Sequence, residues 1–172
     1  MEVRTPRTRL WIALLAAFAA AVGLVAAGFG GSSSSAMAGV AGARHTTRTV
    51  TVKTARVQGL GTILVNNKGF TLYMFKPDKQ TRVTCKGACA AIWPPLKVKA
   101  GQKPTAGGLA RRRLLGTDKN PGGGLVVTYN KWPLYTYVID TKPGQVKGQA
   151  VNNSGGLWYV LSPSGKVITK KP

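Results

Sequence analysis

Hydrophobic positions along the chain fall into three regimes. Leu10 to Gly31 runs without a charged residue and is rich in Ala, Leu and Val, about the length of apolar chain that a helix needs to enter or cross a bilayer. Gly39 to Gln58 mixes Thr, Val and Ala with Arg44, Arg48, Lys53 and Arg56, the composition of a linker leading into a first strand. Beyond Gly59 the apolar residues come in short runs, and Gly, Pro and Asn interrupt them too often for long helices. That punctuation predicts strands, with Gly87–Trp93 the one further stretch able to turn helical.

The strand-like runs repeat. Leu72-Tyr73-Met74-Phe75-Lys76-Pro77-Asp78 returns as Leu134-Tyr135-Thr136-Tyr137-Val138-Ile139-Asp140, sharing Leu-Tyr-x-aromatic-x-x-Asp. Upstream, Ile63-Leu64-Val65-Asn66-Asn67 answers Val126-Val127-Thr128-Tyr129-Asn130, each leading through a turn into the Leu-Tyr run; Lys68-Gly69 marks the first turn and Lys131-Trp132-Pro133 the second. Downstream, Trp93-Pro94-Pro95-Leu96 answers Trp158-Tyr159-Val160-Leu161. In Leu72–Phe75 and Leu134–Tyr137 the tyrosine and the next aromatic stand two apart and share one face, while the leucine takes the other. Both faces are apolar, so these strands should be covered on both sides. The expected fold is mainly β: a small antiparallel domain, sandwich or barrel-like, built from two pseudo-symmetric repeats, with an N-terminal apolar helix serving as signal or anchor.

The boundaries follow. Residues 1–38 are a signal peptide or membrane anchor, 39–58 a basic Thr/Ala/Gly linker, 59–165 the two-repeat β domain and 166–172 a basic tail. Within the domain, repeat one spans 61–98 and repeat two 123–163, and the Gly-containing stretch 99–122 with Arg111-Arg112-Arg113 reads as an exposed basic connection. Arg4, Arg7 and Arg9 before the apolar run, and Ala36-Met37-Ala38 before Gly39, make a secretory signal with an A-x-A cleavage site. An uncleaved anchor through residues 10–31, arginines on the cytoplasmic side, is the alternative. A lipoprotein needs a cysteine just after the apolar run, and the cysteines stand instead at Cys85 and Cys89.

Charge changes the picture next. The 172 residues carry 25 Lys and Arg against 4 Asp and Glu, with one His, for a formal net charge of +21. A 44% hydrophobic composition sets the chain apart from disordered basic tails. Polycations bind nucleic acid through phosphates, but an exported one meets wall polymers and anionic lipid headgroups instead, so nucleic acid is not the expected partner.

The Gly-x-Thr-Leu-Tyr strand, Cys85-Lys86-Gly87-Ala88-Cys89-Ala90-Ala91-Ile92-Trp93-Pro94-Pro95-Leu96 and Val127-Thr128-Tyr129-Asn130-Lys131-Trp132-Pro133-Leu134-Tyr135 together resemble the bacterial "secreted repeat of unknown function" family, whose signature is Tyr-x-[Phe/Trp/Tyr]-x-x-Asp. The resemblance runs from about Gly59 to Gly165. It implies a secreted or envelope-associated protein and no settled chemistry.

Candidate chemistry is sparse. Asp78 and Asp140, two of the three carboxylates beyond residue 38, occupy the same repeat position. Each either closes the turn after its strand by accepting backbone N–H groups, or joins Tyr73 and Tyr135 in lining a ligand groove or holding a cation. Phe75, Trp132 and Tyr137 complete the candidate binding set, and Trp132-Pro133 in its turn is the aromatic expected to be exposed. Cys85 and Cys89, an even count in an exported chain, predict a disulfide. The alternative is a redox or copper(I) site with Met74, or His45, as accessory ligand. No Ser–His–Asp or Cys–His set is assembled, and two carboxylates at equivalent repeat positions disfavour a glycosidase without excluding one, so no enzyme and no cofactor are expected. The reading is an exported, envelope-associated binding or structural module, held to anionic wall or membrane material.

Overall fold

The computed structural model describes residues 49–79 and 82–172. The signal or anchor helix, the start of the linker and His45 lie outside them. The described residues belong to one compact unit.

Two hairpins open the two repeats. β1 (Thr51–Val57) and β2 (Gly61–Asn66) pair antiparallel from Val52 opposite Asn66 to Val57 opposite Gly61. Asn66 then stops the strand: its side-chain oxygen accepts the N–H groups of Lys68 and Phe70, a local alternative to the ladder that turns the chain back. The returning segment carries β3 (Tyr73–Phe75), followed by a 3-10 turn over Lys76–Asp78, the helix α1 (Ala88–Ile92) and β4 (Lys97–Val98). After β5 (Thr105–Ala106), the second hairpin is β6 (Leu115–Lys119) with β7 (Leu125–Tyr129). Then come β8 (Trp132–Pro133), β9 (Val151–Asn153), β10 (Gly156–Leu161) and β11 (Val167–Ile168).

These strands form three small sheets, ordered β2-β1-β5, β11-β10-β3 with β9 also on β10, and β4-β7-β6 with β8 also on β7. No closed barrel forms among the described residues. Pairing is antiparallel throughout except between β1 and β5.

The two repeats are joined by an exchange. β10, the Trp158 strand of repeat two, lies along β3 of repeat one, with Trp158 opposite Phe75 and Val160 opposite Tyr73. In return, the chain from Ile92 to Val98 in repeat one lies along repeat two. Ile92 and Pro94 carbonyls accept the N–H groups of Val138 and Thr136, Leu96 donates to Leu134, and β4 pairs with β7. At the centre Tyr73 and Tyr135 exchange both backbone hydrogen bonds, each at 2.9 Å, so a pseudo-two-fold axis passes between equivalent tyrosines.

Alternation then sorts the side chains into two cores. Ile63, Val65, Tyr73, Phe75, Trp93, Tyr135, Trp158 and Val160 pack in one cluster; Val52, Leu64, Leu72, Met74, Val127, Tyr129, Leu134 and Leu161 pack in the other. Neighbours such as Tyr73 and Met74 face opposite cores because successive strand residues point to opposite sides. The Leu-Tyr runs are covered on both faces as expected, but only the first forms a strand (β3); in the second, Tyr135 makes isolated bridges to Tyr73 and Pro95.

Two expectations change. The second turn falls at Asn130-Lys131, whose φ angles of 48° and 68° are those of a two-residue type I′ hairpin, and Trp132-Pro133 form strand rather than turn. Pro133 fits there because β8 is a two-residue strand paired with β7 alone, where a missing N–H costs least. Trp132 is accordingly half-buried against the second core rather than exposed. The basic stretch 99–122 is also more than a connection: β5 adds to the first hairpin and β6 is an integral strand of the second. Its glycines and arginines masked that, because β6 keeps only partial apolar alternation.

Candidate functional site

Each Leu-Tyr run leads to an acid, and burial decides what the acid does. The Asp78 carboxylate is fully buried and Asp140 is 4% exposed, so each must satisfy its oxygens internally. Asp78 accepts the Thr84 N–H and hydroxyl, both at 2.7 Å, on one oxygen. Asp140 accepts the Lys147 N–H at 3.0 Å on one oxygen. Both therefore tie down the loop that follows, six or seven residues on.

The other oxygen of each acid crosses to the opposite repeat. Tyr73 donates its hydroxyl to Asp140 at 2.6 Å, and Tyr135 donates to Asp78 at 2.6 Å. Tyrosine and aspartate of one motif are thus never partners; the motif closes only between repeats. Burial pushes both carboxyls above their ordinary range, although the phenol and backbone donors pull the other way. Burial, reinforced by the adjacent carboxylate, pushes both phenols upward. The phenols accordingly remain neutral donors, and each pair is a short O–H···O⁻ bond of the stronger, charge-assisted kind. Asp118 on β6 is raised too, by burial and then by the charge of Asp78, and one of its oxygens has no partner.

These shifts give an unusual acid response. An acid raised in the folded state holds its proton more tightly folded than unfolded. Its contribution to stability is full below the unfolded value of 3.8 and is lost as pH rises through the folded value. All three aspartates shift in this direction, and only four acidic residues in the chain can lose charge. Melting temperature at fixed ionic strength should therefore hold or rise as pH falls from 7 toward 4. A steady fall across that range, followed by circular dichroism, would contradict the assignment.

Between the pairs lies a column of rings. Tyr137, Trp93, Trp158 and Phe75 stack in that order, with centroids 3.8, 3.9 and 4.2 Å apart and planes within 9°, 4° and 19°. Tyr73 sets its edge on Trp93 at 5.5 Å and Tyr135 its edge on Trp158 at 5.2 Å, the geometry that ring quadrupoles favour. Asn153 fixes both indoles: its side-chain oxygen accepts from Trp93 Nε1 at 2.9 Å and its backbone carbonyl from Trp158 Nε1 at 3.0 Å. Gly148 allows the column to close. A Cβ there would stand 2.7 Å from Trp93 and 2.9 Å from Tyr73, and its N–H donates to the Tyr73 hydroxyl.

Of the candidate binding residues, Tyr73, Phe75, Asp78, Tyr135 and Asp140 are therefore gathered into one interior cluster rather than lining an open groove. Tyr137 is half-buried at its edge, and Trp132 packs apart in the second core. Asn153 and Gly148 escaped the sequence reading, because an Asn and a Gly in turn-rich chain carry no signal of what packs above them. Cys85 and Cys89 form the predicted disulfide, with Cα atoms 5.3 Å apart. It ties the loop after Asp78 to α1. Cys85 packs in the first core and Met74 in the second, so the thioether is not among the side chains around the bridge.

The surface is one-signed. Five of the 25 Lys and Arg (Arg4, Arg7, Arg9, Arg44 and Arg48) fall outside the described residues, and every one of the other twenty is exposed. Asp78 and Asp140 are buried and Asp118 is half-buried, so no side-chain carboxylate among the described residues is exposed. Lys103 and Arg112 also line a cavity of about 630 Å³ between Gln102–Ala106 and Leu115–Thr117.

A family model described as a secreted repeat of unknown function matches the chain twice, over residues 54–97 and 116–162. Its second match starts inside the stretch read from the sequence as the connection, in agreement with the place of β6. No curated protein and no solved structure matches the chain.

Proposed function

The chain belongs to the family of secreted repeats of unknown function, and from that premise we propose that it is a non-enzymatic envelope module that adheres through its surface to anionic wall polymers or anionic lipid headgroups. The observation that carries this reading is the segregation of charge: cations outside, carboxylates inside. With no exposed side-chain acid among the described residues to form local ion pairs, the lysines and arginines keep their field for an external polyanion. The two-repeat core supplies a rigid body that holds those charges in fixed places. Arg111, Arg112 and Arg113, exposed beside the cation-lined cavity, are the densest group.

Such adhesion rests on Coulomb attraction between solvated groups, which salt screens; at about 1 M the screening length is only about 3 Å. The mature protein should therefore wash from wall or membrane preparations with molar salt and remain bound at low salt. Replacing Arg111, Arg112 and Arg113 with glutamine should shift release to lower salt. Retention through a molar-salt wash, with the N-terminal segment removed, would overturn electrostatic adhesion.

A further inference from the structure

The aromatic column is more ordered than burial alone requires. Ring quadrupoles favour offset or edge-to-face contact over near-parallel stacking at short centroid distance, yet four rings here stack in sequence, and two phenols stand edge-on to the two indoles. Adjacent rings lie with centroids 3.8 to 5.5 Å apart, so the six form one unbroken ring-to-ring path. One end, Tyr137, is half-exposed; Trp93, Trp158, Tyr73 and Tyr135 are fully buried. Both buried phenols are hydrogen-bonded to a buried carboxylate at 2.6 Å.

That arrangement meets the chemical demand of one-electron oxidation. A phenol loses an electron readily only if its proton leaves at the same time, since the oxidised phenol is a strong acid. A carboxylate already accepting the O–H bond takes the proton without any heavy atom moving. We propose that the column conducts oxidising equivalents, so that a radical oxidant arriving at Tyr137 is reduced by one electron and the resulting hole settles on Tyr73 or Tyr135 as a neutral tyrosyl radical. The overall step is X• + Tyr–OH + Asp–COO⁻ → X⁻ + Tyr–O• + Asp–COOH. The oxidant X• is a freely diffusing one-electron oxidant of the radical class, the electron passes through Trp93 or through Trp93 and Trp158, and the proton stays on Asp140 or Asp78. Burial raises the carboxyls, which makes them better proton acceptors. The crossed pairing gives the path two terminal phenols, each with its own carboxylate.

Flash photolysis of the intact protein with tris(bipyridine)ruthenium(III) as the oxidant tests this. A tryptophan radical should form first and decay into a tyrosyl radical, more slowly in D2O than in H2O. Electron–nuclear double resonance should show an exchangeable deuteron coupled to the phenoxyl oxygen, the former phenol proton now held by aspartate. Tyr73→Phe should leave a deuteron-coupled tyrosyl signal on Tyr135, and Tyr73→Phe with Tyr135→Phe should abolish that coupled signal and lengthen the life of the tryptophan radical. A wild-type tyrosyl signal without isotope effect or exchangeable coupling, or one unchanged in the double variant, overturns the proposal. The isotope and coupling measurements use only wild-type protein, so the test stands even if the double variant does not fold.

Discussion

Alanine at both Asp78 and Asp140 is expected to leave the domain unfolded at room temperature. Asp78→Ala alone strands the Tyr135 hydroxyl, fully buried, and the N–H and hydroxyl of half-buried Thr84. At about 1–3 kcal/mol for each unsatisfied buried donor, partly relieved by water, the loss should be about 3–5 kcal/mol. Asp140→Ala strands the Tyr73 hydroxyl and the Lys147 N–H and should cost about 2–4 kcal/mol. The sum reaches the whole stability of an ordinary small domain, about 5–15 kcal/mol. The milder Tyr73→Phe and Tyr135→Phe should each cost less than the matching alanine, because each carboxylate keeps its backbone donors. Urea unfolding of the four single variants reads this order. Single alanine variants as stable as the wild type would show that the crossed pairs hold nothing.

Trp93→Ala is the second large loss. The ring is fully buried between Tyr137 and Trp158, with Tyr73 on its flank, and truncation opens a cavity in the middle of the column. Large aromatic truncations in cores cost about 3–5 kcal/mol, and here Asn153 also loses the indole donor. Gly148→Ala approaches the same place from the other side. Its added methyl would stand too close to Trp93 and Tyr73, and overpacking of that kind costs about 1–3 kcal/mol. Guanidinium unfolding followed by tryptophan fluorescence should show the midpoint falling in both variants, further in Trp93→Ala. An unshifted midpoint in either would mean that the column relaxes freely.

How much of this was legible beforehand depends on the range of each interaction. Tyr73, Phe75 and Asp78 advertise themselves, because strand alternation and repetition are local facts of sequence. The disulfide is legible too, from two cysteines four residues apart in an exported chain. The partner of Tyr73 is not legible: Asp140 lies 67 positions away, and the nearer Asp78 satisfies the same motif. Only the path of the chain between repeats decides between them. Trp132-Pro133 reads as a turn because proline interrupts ladders, whereas the positive φ angles of Asn130 and Lys131 complete the reversal one residue earlier. The charge total was plain from the outset, but its segregation was not. That, among the described residues, three carboxylates sit within the fold while twenty cations sit outside follows from packing.

The exchange of the Trp158 strand for the Trp93 segment bears on how such a chain can arise and be divided. Half of it, with one hairpin, one Leu-Tyr strand and one Trp strand, has its third strand pointing away from its own hairpin, and its tyrosine and aspartate each lack a mate. Such a half can reach this core only against a second half. A gene encoding one repeat is expected to yield a homodimer, and duplication with fusion through the chain between β4 and β6 would place both halves in one chain. Repeats of this design should accordingly occur in even numbers per folded body.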